Sequence, residues 1–306
     1  MKILFFGTSD FAVQSLKALL NTQFRPTAVV TQPDKPKGRG YALTPTPVKE
    51  TAVENSIDVY TPQSLKDFAI HPLLEQIRPD MIIVVAYGKI LPKYILDFPP
   101  LGCINVHASL LPKYRGAAPI NHAIINGETE TGITTMYMDE GLDTGDMILK
   151  QKTEINSEEN FGELHDRLAQ MGGELLIKTL ELVKNGTAPR EKQTDDSSYA
   201  FMIDNNLKRL DFSDSTKNII NLIRGLSPAP CAFCYNGNKK IKIYKASYAD
   251  CPKDKYDYKA GDIVDVSTIT VRTGDGAVRI EELQPEGKKR MPASEFLKGN
   301  KLFRLD

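Results

Sequence analysis

The sequence predicts an α/β protein: a doubly wound, mostly parallel sheet followed by a small β-barrel. Three observations predict it. Short apolar runs alternate with amphipathic helical patterns through the first half of the chain, the order that builds a parallel sheet. After a polar, turn-rich stretch at 185–198, the pattern changes to short β-rich runs separated by turn signals. Charge divides the same way: residues 208–306 carry 19 Lys+Arg against 13 Asp+Glu, and residues 1–207 carry 20 against 26. A basic last third behind an acidic first part argues for two domains, the second suited to a polyanion.

Taken in order, "KILFF" reads as a buried strand and "GTSD" as a turn. Residues 10–20 read as an amphipathic helix with Ser9 or Asp10 as N-cap. Further strands are predicted at 27–31, within 79–88, at 101–109 and at 131–138, with helical patterns at 46–55, 64–76 and 92–97 between the first four. Residues 158–184 are the longest helical pattern, and Gly172-Gly173 could bend or split it. The last third predicts a helix near 215–224, then strands at 231–236, 239–248, 262–272 and 276–283. The turn signals "NGN", "CPKD", "TGDG" and "PEGKK" punctuate this stretch.

Several classes are disfavoured. Gly7 stands alone in the first strand-to-helix turn, with no glycine at 9 or 12, so a dinucleotide site of the G-x-G-x-x-G kind is not expected. Of four cysteines, only Cys231 and Cys234 form a C-x-x-C. They follow Pro228 and Pro230 in a strand-like stretch, with no second pair to complete a zinc site. They read as reduced thiols of a cytoplasmic protein. The apolar N-terminal run is too short for a secretory signal, and no run reaches membrane-spanning length.

The chemistry concentrates in "INVHASLLPKYRG", 104–116. Asn105 and His107 lie two apart at the end of an apolar run, so a strand presents both on one face and Ile104 and Val106 on the other. Ligands of doubly wound sheets bind beyond the carboxyl ends of strands, where this pair falls. The segment 138–147 holds Asp139, Glu140, Asp143 and Asp146, with Gly141 and Gly145 marking a loop. Either it is a solvated turn, or one carboxylate turns inward to His107 and fixes its tautomer. His71, His122 and His165 read as ordinary surface or half-buried histidines. The stretch 32–49 carries four prolines, two glycines and Lys35, Lys37 and Arg39, as either a mobile surface loop or a functional one. On the run 239–248, Lys240 and Lys242 share one face of a strand while Lys239 and Lys245 take the other. These lysines, with Lys288, Lys289 and Arg290, are either solvated surface or phosphate contacts.

Asn105, His107, the run Ser109-Leu110-Leu111-Pro112, Gly116, and Asp143 within "GLDTGD" resemble the motifs of the 10-formyltetrahydrofolate-dependent formyltransferase family. The strings "FFGTSDFA", "TQPDKPKGRG", "TPVK", "VVAYGKILP" and "ETGIT" are similar to the branch that acts on methionyl-tRNA. The resemblance spans the chain and is strongest up to about residue 150. It implies a Rossmann-like catalytic domain over 1–188, a linker over 189–207 and an OB-like tRNA-binding domain over 208–306. It also implies transfer of a formyl group from 10-formyltetrahydrofolate to the α-amino group of initiator methionyl-tRNA, for translation initiation. Asn105 and His107 would be donors to the oxyanion, and Asp143 would hold His107 and help move the proton. Ser109, Leu110, Leu111 and Pro112, with Tyr87 and Gly88, would line the folate site. Arg39, with Lys35 and Lys37, would meet the acceptor end of tRNA, and Lys240 and Lys242 its phosphates. No metal, membrane or obligate protein partner is implied, and the chain is expected to act as a monomer. One departure is "SPAPCAFCY", where family members often carry tryptophan after a P-x-P turn; this chain has no Trp. That bears on packing of the first barrel strand, not on chemistry. A formyltransferase acting on a small amine, such as an amino sugar-nucleotide, would share Asn105, His107 and Asp143. The 31–49 loop and the basic C-terminal part favour tRNA.

Overall fold

A computed structural model describes residues 1–37, 42–252, 257–300, 302 and 304–306. The chain forms two compact units. Unit 1 comprises Met1–Pro119, Thr131–Thr153 and His165–Ala200; unit 2 comprises Ile120–Glu130, Glu154–Leu164 and Phe201–Asp306.

Unit 1 begins with β1 (Ile3–Gly7), buried at every residue, and α1 (Asp10–Leu20). Gly7 is needed for close approach, since a Cβ there would lie 2.7 Å from Phe5 Cε1 and 2.9 Å from the Ala12 Cβ. Next come β2 (Ala28–Val30), β3 (Lys35–Lys37), β4 (Ala42–Thr44), α2 (Pro47–Glu54), β5 (Asp58–Tyr60) and α3 (His71–Ile77). They are followed by β6 (Met81–Val85), α4 (Lys93–Leu96), β7 (Cys103–His107) and β8 (Arg115–Gly116). After α5 (Pro119–Ile125), the chain supplies β9 (Glu130–Tyr137), β10 (Met147–Glu154), α6 (Phe161–Lys184) and β11 (Tyr199–Ala200).

Seven strands form one sheet in the order β10-β9-β7-β6-β1-β2-β5. The pairings β1–β2, β2–β5, β1–β6 and β6–β7 are parallel, and β7–β9 is antiparallel. The predicted doubly wound, mostly parallel sheet is therefore present. Strand order reverses between β1 and β6, and there Thr8 Oγ1 donates to the Tyr87 carbonyl at 2.9 Å. This is the switch point at which such sheets bind ligands.

Three local expectations change. The helix predicted over 64–76 forms only as α3, because Asp67 and Phe68 adopt φ of +55° and +57°. There the Tyr94 hydroxyl donates to the Leu65 carbonyl at 2.8 Å, replacing a helical bond. The 32–49 stretch is not structureless: β3 and β4 pair antiparallel, Lys35 opposite Thr44. A two-stranded ribbon is all edge, so it tolerates Pro36 without its N–H. Finally, α6 runs unbroken through Gly172-Gly173. These glycines serve contact: added Cβ atoms would lie 3.1 Å from Val106 Cγ1 and 3.0 Å from the Ala18 Cβ.

Unit 2 contains α7 (Thr216–Leu226), β12 (Ala232–Asn236), β13 (Lys239–Ala249), β14 (Ile263–Asp265), β15 (Thr270–Arg272), β16 (Ala277–Pro285), β17 (Met291–Pro292) and α8 (Ala293–Phe296). Ser215 caps α7 by accepting from the Asn218 N–H at 3.2 Å. The strands are antiparallel in the order β12-β13-β16-β15-β14, with β17 on β16. Ile219 and Ile223 of α7 join Ile241, Ile243, Val278 and Ile280 in its core. This is the predicted small β domain of the C-terminal third. Cys234 and Cys231 are buried, and burial pushes their thiols up to about 12 and about 11.

Candidate active site

β7 carries the site. Val106 packs toward Gly172 of α6, so alternation turns Asn105 and His107 to the opposite face. His107 is only 5% exposed. Its Nε2 lies 2.9 Å from the Tyr114 carbonyl, which can only accept, so that nitrogen carries a hydrogen. Its Nδ1 faces Asp143 Oδ2 at 3.6 Å.

The acidic loop resolves into four separate roles. Asp143 turns inward: Oδ2 accepts the Gly116 N–H at 2.8 Å, and Oδ1 accepts from Asn105 Nδ2 at 3.3 Å. Asp139 closes its own turn, accepting from the Gly141 N–H and Thr144 Oγ1. Glu140 pairs with Lys93 at 3.0 Å, and Asp146 with Arg190 at 3.8 Å. The structure thus selects one carboxylate of four for His107. That carboxylate is held firmly by a backbone amide and loosely by Asn105 and His107. Loose contacts of this kind tighten when a reacting group enters.

The surrounding backbone is unusual. Tyr114 and Asp143 have φ of +61° and +53°, conformations that cost an ordinary residue about 1–3 kcal/mol and cluster where function requires them. The turn after β7 is tied down by Ser109 Oγ, which donates to the Lys113 carbonyl at 2.6 Å. Thr134 Oγ1 donates to the Ser109 carbonyl at 2.7 Å and accepts the Leu111 N–H at 3.1 Å.

The other predicted residues fall as follows. Leu111 and the Ser109 side chain are buried, while Leu110 and Pro112 are half-buried. The Tyr87 ring points into the core, 1% exposed and edge-on to Phe6, and burial pushes its phenol up to about 12. Only its carbonyl faces the switch point, accepting from Thr8 and from Gln32 Nε2 at 2.8 Å. Gly88 has φ of +78° and would place a Cβ 2.8 Å from Gln32 Nε2. Beside it Ile90 is 84% exposed, and Leu142 of the acidic loop is 52% exposed. The Lys93–Glu140 ion pair ties these two loops together. Lys35 donates to Gln32 Oε1 at 3.0 Å and lines a cavity of about 190 Å³ with Thr8, Gln32, Thr44 and Thr46. Arg39 lies outside the described residues, and Lys37 is placed by its backbone only, in β3.

In unit 2, Lys240 and Lys242 do share the outward face of β13, and Lys240 Nζ sits 3.5 Å from the centre of the Phe233 ring. Strict alternation would have turned Lys245 toward the core. A register shift between Ile243 and Lys245 releases it to an ion pair with Glu281 at 3.1 Å.

Sequence reasoning missed Arg115, Gln193 and Ser198. The Gln193 amide donates to the Asp143 and Gly145 carbonyls at 2.8 and 2.9 Å and accepts from Arg115 Nε and Nη2 at 3.0 and 2.8 Å. Ser198 Oγ accepts the Tyr114 N–H at 3.0 Å. Residues 191–200, read from composition as connection, therefore wall one side of the site. No spacing or residue type in that polar stretch signalled this.

The family model for formyl transferases matches residues 1–180, and the model for the formyl transferase C-terminal domain matches 202–301. The methionyl-tRNA formyltransferase of Clostridioides difficile (strain 630) is 51% identical over 98% of this chain and 97% of its own length. The chain belongs to the methionyl-tRNA formyltransferase family. A second member of that family, from Syntrophus aciditrophicus (strain SB), is 49% identical over 99% of this chain and 97% of its own. Membership makes the chain an enzyme, a formyltransferase with both of the family's domains. Solved structures share the fold at greater distance. WlaRD, a sugar 3N-formyl transferase determined with dTDP and 5-N-formyl-THF, matches with a TM-score of 0.68 and 24% identity, over 94% of this chain and 99% of that one. HypX from Aquifex aeolicus in complex with tetrahydrofolic acid matches with 0.65 and 18%, over 100% of this chain and 50% of that one. No helix among the described residues is long and apolar enough to cross a membrane.

Proposed function

We propose that this chain formylates the α-amino group of initiator methionyl-tRNA, with Asn105, His107 and Asp143 as its catalytic residues. The observation that carries the reading is their convergence at the carboxyl end of β7: one carboxylate between an amide donor and a buried imidazole. Bound 10-formyltetrahydrofolate supplies the formyl carbon and, at N10, the leaving nitrogen. Asn105 Nδ2 carries two hydrogens, and its long contact to Asp143 leaves one for the formyl oxygen as that oxygen gains charge. His107 holds Nε2–H on the Tyr114 carbonyl, so Nδ1 is the ring atom that exchanges a proton within the site. An attacking α-amino group, with a reference pKa of about 7.7–8.0, must lose protons to act. The first goes to solvent and frees the lone pair; Asp143 accepts the second as the new C–N bond to the formyl carbon forms, and passes it through Nδ1 to N10 as the bond between N10 and that carbon breaks. Well-placed acid–base groups of this kind contribute about 10²–10⁴-fold.

Ser109, Leu110, Leu111 and Pro112, the Tyr87 carbonyl, Gly88 and Ile90 form the folate wall in this reading. Arg39, Lys35 and Lys37 meet the acceptor end of the tRNA. Lys240 and Lys242, interleaved with Phe233, supply phosphate and stacking contacts. In this reading residues 1–200 serve catalysis, with 191–200 as a wall of the site rather than the connection expected over 189–207, and 208–306 serve tRNA, in a cytoplasmic monomer.

The test is formyl transfer to initiator methionyl-tRNA, elongator methionyl-tRNA and an amino sugar-nucleotide, read by release of tetrahydrofolate. Initiator tRNA should be strongly preferred. Asn105→Ala should lose about 10²–10³ in kcat, the usual effect of removing one oxyanion donor, and His107→Asn and Asp143→Asn should each lose about 10²–10⁴, the contribution of a well-placed acid–base group. Full activity in any of the three removes that residue from the mechanism, and transfer only to the sugar amine overturns the tRNA assignment.

A further inference from the structure

We propose that Gln193 is a positioning residue for formyl transfer: its side-chain amide fixes the backbone of the 143–145 loop and thereby sets Asp143 against His107 and Asn105. The inference rests on the reading of Asp143 given above.

The amide of Gln193 is used to capacity. Both Nε2 hydrogens go to carbonyls of the catalytic loop, one of them Asp143's own. Both acceptor sites of Oε1 are taken by the Arg115 fork. Arg115 is only 9% exposed, and among the described residues no carboxylate lies within ion-pair distance of it. A cation donating to Oε1 polarises the amide and strengthens its N–H donors. The loop needs this hold, because Asp143 sits at φ +53°. A left-handed non-glycine residue persists only where its surroundings over-determine it. The Gly116 N–H fixes the carboxylate, and the Gln193 amide fixes the Asp143 backbone carbonyl.

The chemistry also explains why the residue is an amide. A glutamate would pair better with Arg115, yet it would face the Asp143 and Gly145 carbonyls with no hydrogen to give. An apolar residue would strand a buried guanidinium. Gln193→Glu therefore separates two roles that other substitutions confound: it keeps or improves the structural pairing and removes the hold on the loop.

The experiment compares wild type, Gln193→Glu, Asp143→Asn and the double variant, each by steady-state kinetics on initiator methionyl-tRNA and by thermal melting. Gln193→Glu should remain folded, because the ion pair with Arg115 offsets the two carbonyl bonds it loses. Its kcat should fall about 10–100-fold, the scale of a small misplacement, with KM for folate and tRNA unchanged. On the Asp143→Asn background it should cost nothing more, because both act through one carboxylate. Wild-type kcat in Gln193→Glu, or losses that multiply in the double variant, would overturn the inference while leaving Asp143 catalytic. An active Asp143→Asn would instead show that the underlying reading had failed, and the inference with it. Gln193→Asn keeps the charge and the amide but shortens the reach by one methylene. It gives the same kinetic test should the glutamate variant not fold.

Discussion

At the scale of single residues, the site depends on backbone as much as on side chains. Asp143 is aimed by an N–H, that of Gly116, at 2.8 Å. Gly116 has φ of +116°, and a Cβ there would lie 2.8 Å from the Ala200 carbonyl oxygen. Neither condition suits an L side chain. Gly116→Ala should therefore move the amide away from Asp143 and lower kcat by about 10–100-fold. Steady-state kinetics of a variant shown to be folded by circular dichroism checks this; an unchanged kcat would mean that the Gly116 bond does not aim the carboxylate. Asn105 and His107 were legible because a two-residue spacing on an apolar run can mean only one face of a strand. Which of Asp139, Glu140, Asp143 and Asp146 would join them was not legible. All four have the same chemistry, and the choice was made by partners distant in sequence: Lys93, Arg190, Gly116 and Asn105.

At the scale of elements, the face of β7 opposite the site is set by how closely α6 approaches. Gly172 puts the helix against Val106, the residue between Asn105 and His107. Gly172→Ala gains about 0.8–1 kcal/mol of helix propensity against a contact of 3.1 Å that must give slightly, so stability should hardly change. Gly172→Val adds methyl groups where there is no room, and overpacking of about 1–3 kcal/mol exceeds the propensity gain. It should lower both the melting temperature and kcat, the latter because β7 is pushed toward the site. Thermal melting and kinetics on both variants check this; a tolerated valine would mean that α6 does not set the position of β7. The glycine pair suggested a bend from sequence because glycine weakens an isolated helix. Packing overrode that tendency, and the helix stayed whole. The 64–76 pattern failed for the converse reason: its periodicity was helical, but tertiary hydrogen bonds from Tyr94 offered the backbone other partners.

At the scale of the whole molecule, charge and family point to a macromolecular substrate. In the proposed reading, catalysis needs only unit 1 side chains, whereas tRNA selection draws on Arg39 and on the basic face of β13. Arg39→Ala should therefore lose far more activity on initiator methionyl-tRNA than on a minimal methionyl ester, a comparison made by kcat/KM on the two acceptors. Equal losses would place Arg39 in the chemistry rather than in recognition.

The sequence by itself determined the class of fold, the alternation that turns Asn105 and His107 to one face, and the family. Each of these follows from local order along the chain. Only the tertiary structure decided which carboxylate meets His107, how Lys245 escapes the core, and that Gln193 and Ser198 wall the site. Those depend on contacts between residues tens of positions apart, and a polar, turn-rich segment has no periodicity to announce what it will touch.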